Sequence, residues 1–104
     1  MIDMVSSYSI VYSSAARREL VKIHEYITEK FCAPETAGIQ VSRIVRAVKT
    51  LSVFPKMYRV RRKSTEMRIC PVDSYLILYS VDDDNRTVNV SHIIYSRRNL
   101  DALI

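Results

Sequence analysis

Glycine is almost absent from this 104-residue chain, in which Gly38 is the only one. Glycine-rich phosphate loops and the GxSxG nucleophile elbow each need several glycines, so both are excluded. No small-molecule cofactor is therefore expected. Cysteine is scarce as well: Cys32 and Cys70 belong to no CxxC or Cys/His ligand pattern, which removes the usual metal sites. Both read as reduced small hydrophobes, a residue type that is commonly buried. Long apolar runs are missing too. The longest uncharged stretch, residues 4–16, contains five serines and falls short of the roughly 20 apolar residues that a spanning helix needs. No basic segment precedes it to make a signal peptide. A cytoplasmic protein without membrane partners is expected.

What is present is a balance of 48% hydrophobic and 26% charged residues, which suits a folded domain. The length fits one domain over residues 1–104 and is too short for two ordinary ones. The net charge of +5 is unevenly placed. Residues 43–68 hold nine lysines and arginines against one acid, Glu66, a local excess of +8. So concentrated a charge points to an anionic partner, either nucleic acid or an acidic protein.

Hydrophobic periodicity divides the chain. Tyr8, Ile10 and Tyr12 alternate with Ser9 and Val11, a strand pattern. Ser13 and Ser14 offer an N-cap to a helix whose stripe is Ala16, Leu20, Ile23, Ile27 and Phe31. After a break at Cys32–Ala33, Pro34 and Glu35 open a second helix with Ala37, Val41, Ile44, Val48 and Leu51 in line, and Pro55 ends it. So short a link makes the helices an antiparallel hairpin. Beyond Pro55 the period becomes two. Strands are expected around Tyr58–Arg61 and Met67–Ile69, with turns at Lys63–Thr65 and Pro71–Ser74. A buried strand at Tyr75–Val81, an Asx turn at Asp82–Asn85 and a last strand to Tyr95 follow. The outcome is an α+β fold: an N-terminal strand, then a helix hairpin packed on a mainly antiparallel sheet of four to five strands.

The last third carries a family resemblance. A Tyr75-Leu-Ile-Leu-Tyr79 strand, an acidic turn, Val88-Asn-Val90 and Ile94-Tyr-Ser-Arg-Arg-Asn99 follow the order seen in RelE/ParE toxins of type II toxin–antitoxin systems, especially the ParE branch. The helix hairpin and the strand around Arg68 fall in the family's order too, so the likeness spans about residues 8–101. Tyr95 replaces a frequent histidine and Asn99 the usual aspartate. Ribonuclease members of the RelE branch carry arginine after the first strand tyrosine, where this chain has Leu76, and their lysines fall on Met67 and Ile69. Arg98 alone matches a basic residue of that site. Such cleavage needs clustered basic groups to activate a 2′-hydroxyl and hold phosphorane charge. The resemblance therefore implies a toxin that inhibits an essential protein target, DNA gyrase by family, and is neutralised by an acidic antitoxin. A ribosome-dependent mRNA endonuclease and a basic nucleic-acid-binding module stay open as alternatives.

Candidate target-binding residues are Tyr95, Arg97 and Arg98 at the last strand's end, with Arg59, Arg61 and Arg68 in the basic segment. Paired arginines hold carboxylates or phosphates bidentately, although salt bridges to Asp101 would also occupy them. Arg17, Lys22, Arg43, Arg46 and Lys49 on the helices are candidates for the antitoxin. Of the histidines, His92 shares a face with Val88 and Val90 by alternation and reads as a hydrogen-bonded core or rim residue; His24 reads as solvated. Tyr8, Tyr12, Tyr58, Tyr75 and Tyr79 read as sheet packing.

Overall fold

The computed structural model describes residues 7–95 and 100–103. Its elements are β1 (Ser9–Tyr12), α1 (Ser14–Phe31), α2 (Pro34–Val53), β2 (Val60–Arg62), β3 (Met67–Val72), β4 (Tyr75–Asp82), β5 (Thr87–Tyr95) and a single turn, α3 (Leu100–Leu103). The five strands form one sheet in the order β1-β5-β4-β3-β2, with β1 parallel to β5 and the other pairs antiparallel. This is the expected α+β architecture, with α3 as an addition that no periodicity announced.

Local chemistry sets the helix limits. The Ser13 hydroxyl accepts the Ala16 amide at 2.9 Å, the N-cap the serine pair suggested. Pro34 fills the first turn of α2, where its missing N–H is not needed. Four non-glycine residues take left-handed backbone angles among the described residues: Cys32, Glu66, Asp73 and Arg86. Turns that elsewhere use glycine are made here by other residues. At the β4–β5 turn Asp82 accepts the Asn85 amide at 3.1 Å, but the left-handed position falls on Arg86 rather than on an Asx residue.

The helices cover one sheet face. Ala16, Ile23 and Ile27 of α1 and Ala37, Ile44, Val48 and Leu51 of α2 pack on Cys70, Ile77, Tyr79, Val88, Val90 and Ile93. Tyr79 is fully buried, donates its hydroxyl to the Pro55 carbonyl at 2.8 Å, and burial pushes its pKa up to about 12. Leu20 and Val41 are half-buried against this core. Phe31, by contrast, is exposed at the last position of α1. Cys32 is exposed as well, and only Cys70 is a buried cysteine: the helix terminates at Cys32, whose left-handed geometry turns it outward.

Two strand expectations change. β3 continues through Pro71 and Val72, which pair with Leu76 and Tyr75. The turn is therefore confined to Asp73–Ser74. Pro71 sits in a stretch of β3 with no β2 partner, the edge position where a strand tolerates proline. In β5 the pairing slips between Val90, opposite Tyr79, and His92, opposite Leu78. That bulge at Ser91 removes His92 from the alternation of Val88 and Val90. It remains a half-buried, hydrogen-bonded residue at the rim.

Candidate functional site

The far side of the sheet bears on mechanism most directly. β3 and β4 alternate strictly, so residues between those facing the helices point the other way. Met67, Ile69, Leu76 and Leu78 gather there into a second apolar cluster closed by Leu100 of α3, with Ile94 and Leu103 packed beside it. Met67, Ile69 and Leu76 thus share one buried surface beneath α3. A face of methyl groups neither activates a hydroxyl nor stabilises anionic charge.

Tyr95 ends β5 and stays half-exposed, with its ring edge-on to Tyr75 at 5.6 Å between centroids. Burial raises the Tyr75 pKa, helped by the neighbouring Tyr95 and Tyr26. Tyr26 on α1 carries Lys30 over its ring at 5.5 Å, so three tyrosines and a lysine meet at this end of the sheet. Arg97 and Arg98, the sharpest sequence candidates, lie outside the described residues, as does any bridge to Asp101.

The basic segment does not join Tyr95. Arg59 and Arg61 are exposed beside β2, the outermost strand opposite β1. Tyr95 pairs with Tyr75, which pairs with Val72, whereas Val60 pairs with Arg68 opposite Tyr79. Tyr95 and the β2 arginines therefore occupy diagonally opposed corners of the sheet. Arg68 belongs to the interior: it is half-buried, donates from Nη1 to the Tyr58 carbonyl at 2.6 Å, and its buried Nε has no hydrogen-bond partner.

On the helices, Arg17, Lys22, Arg46 and Lys49 are exposed. Arg43 is exposed but committed: it grips Asp73 through Nε at 2.7 Å and Nη2 at 2.9 Å. With Gln40 as a second donor to the same carboxylate, it holds the Asp73 pKa below its ordinary value. Arg43 and Arg46 line a groove of about 360 Å³ with Thr50, Pro71, Val72 and Asp73.

An apolar cleft of about 670 Å³ opens between Tyr8, Val53, Phe54, Pro55, Lys56 and Met57. No motif of the sequence announces this cleft. At its rim Asp83 takes Lys56 Nζ at 2.6 Å and the Tyr8 hydroxyl at 2.7 Å, and these two donors lower its pKa. A second carboxylate missed in the sequence is Glu19, which accepts the Ile93 amide at 2.8 Å and faces His92 Nδ1 at 3.2 Å. Its partners lie more than 70 residues away, where no local pattern reaches. His24 is exposed, within 3.5 Å of Thr28. Among the described residues no group of His, Cys, Asp and Glu is arranged to hold a metal, and no helix is long and apolar enough to cross a membrane.

Comparison with known proteins places this geometry. Residues 10–100 match the family model of the ParE toxin of type II toxin–antitoxin systems, parDE. Among solved structures, the chain is similar to one from the chromosomal ParDE toxin–antitoxin system of P. aeruginosa, with a TM-score of 0.73 and 18% identity, covering 88% of this chain and 98% of that one. It is similar also to a chain of the toxin–antitoxin complex RelBE2 from Mycobacterium tuberculosis, with a TM-score of 0.64, 23% identity, and 89% and 94% coverage. No curated protein matches significantly.

Proposed function

Because this chain belongs to the ParE toxin family of type II toxin–antitoxin systems, we propose that it arrests growth by binding and inhibiting a protein target, DNA gyrase, without cleaving RNA. The observation that carries this reading is the second sheet face. Met67, Ile69 and Leu76, at the positions where ribonuclease relatives carry basic groups, lie in one apolar cluster under Leu100. Inhibition by binding needs only a complementary surface, and this chain offers exposed Arg59, Arg61 and Tyr95, with Arg97 and Arg98 following Tyr95 in sequence. The reading divides the target surface between two corners of the sheet and gives Arg68 a packing role.

Both structural neighbours come from toxin–antitoxin systems. An acidic antitoxin is accordingly the proposed partner, in the cytoplasm, meeting Arg17, Lys22, Arg46 and Lys49. Arg43 contributes less, since Asp73 already neutralises it. Neither membrane nor small-molecule cofactor enters this scheme.

The test is induction in bacteria lacking the antitoxin, paired with a supercoiling assay on purified gyrase. Filamentous cells with intact messages, and supercoiling inhibited by the parent but weakened in Arg97→Ala/Arg98→Ala, are expected. Codon-linked cleavage of translated mRNA soon after induction would return the ribosome-dependent endonuclease to first place.

A further inference from the structure

β1 pairs with β5 from Thr87 to Val90 and stops there, whereas β5 runs on to Tyr95. Among the described residues the remaining edge has no strand beside it, and unpaired edges leave backbone groups unsatisfied and registers loose. Here α1 and its cap take the missing strand's place. The Ser13 amide donates to the Val90 carbonyl at 2.9 Å, and the Ser13 hydroxyl donates to the Ser91 carbonyl at 2.7 Å. Further along α1, the half-buried Glu19 accepts the Ile93 amide through Oε1 and meets His92 Nδ1 through Oε2.

These contacts straddle the bulge at Ser91. A bulge resets which side chains face which way, and a slip of one residue moves every later side chain to the opposite face. With the bulge where it is, Ile93 falls opposite Ile77 and Tyr95 opposite Tyr75, which lets the two tyrosine rings meet. Were Ser91 drawn back into the ladder, Tyr95 would turn to the far face.

We infer that Glu19 is a positioning residue that locks the β5 bulge, so that Tyr95 is presented in one register to the target. The role rests on the proposal that this end of β5 meets the target, but the lock can be measured without it. Glu19→Ala removes the acceptor. Glu19→Asp keeps the charge and shortens the reach, and serves if the alanine variant folds poorly. Glu19→Gln keeps an acceptor for the Ile93 amide.

Amide exchange by NMR should quicken about tenfold at Ile93 in Glu19→Ala and Glu19→Asp, the scale of one lost charge-assisted hydrogen bond. The Tyr75–Tyr95 cross-peaks should weaken, and Glu19→Gln should recover most of the protection. Growth arrest should fall in parallel, at unchanged antitoxin binding. Unchanged exchange at Ile93 in the alanine variant, or glutamine behaving like alanine, overturns the lock. A loosened edge with parental toxicity overturns the positioning role. If the parent itself arrests no growth, the proposed function fails, while exchange and cross-peaks still decide the lock.

Discussion

Asp73 and Asp83 sit on exposed turns, yet each is tied to a cation far along the chain: Asp73 to Arg43 and Asp83 to Lys56. Asp82 is held by Asn85 within its own turn. All three have pKa values below the ordinary carboxylate value. A carboxylate more acidic when folded binds its proton less readily than in the unfolded chain. The stabilisation is therefore present above about pH 4, the unfolded value, and is lost as pH falls through the lower folded values. Melting temperature should drop between about pH 5 and about pH 2, and more steeply in the parent than in Asp73→Asn/Asp83→Asn. Parallel curves would mean that the two pairs are too well solvated to matter.

At the scale of elements, both helices were legible because a 3.6-residue stripe survives whatever lies opposite it. Ala37, Ile44, Val48 and Leu51 are buried as their spacing requires. Strand limits were less legible. Pro71 reads as a turn residue, and only the missing β2 partner shows why a strand accepts it there. The Ser91 bulge and Glu19's grip on β5 depend on a helix over 70 residues away, so neither leaves a local trace. Of the candidate site, the place of Tyr95 at the end of the last strand and of Arg59 and Arg61 in the basic segment was legible, while their separation follows from strand order and register. α3 leaves no mark in the sequence, because four residues cannot display a period. Its role is testable: Leu100 is 7% exposed in the second cluster, and Leu100→Ala should destabilise by about 2–3 kcal/mol. Urea unfolding would measure this, and an unaltered midpoint would mean that α3 does not cover the sheet.

For the molecule as a whole, the sheet joins its first strand to its last. Ser9–Tyr12 lie against Thr87–Val90, and the sheet residues that bury the helix stripes extend as far as Ile93. During synthesis the helix hairpin leaves the ribosome with no sheet to lie on. At about 5–20 residues per second, the stretch from Val53 to Val90 takes on the order of seconds. Protease protection of ribosome-bound chains of increasing length should therefore appear only once Val90 has emerged, and protection of chains ending near Val81 would show that β1 is dispensable. The parallel pairing of first strand with last thus acts as a timer: the helix hairpin gains its complete sheet only after β5 has been made. Until then its greasy helices stand open to capture by whatever partner waits at the tunnel mouth.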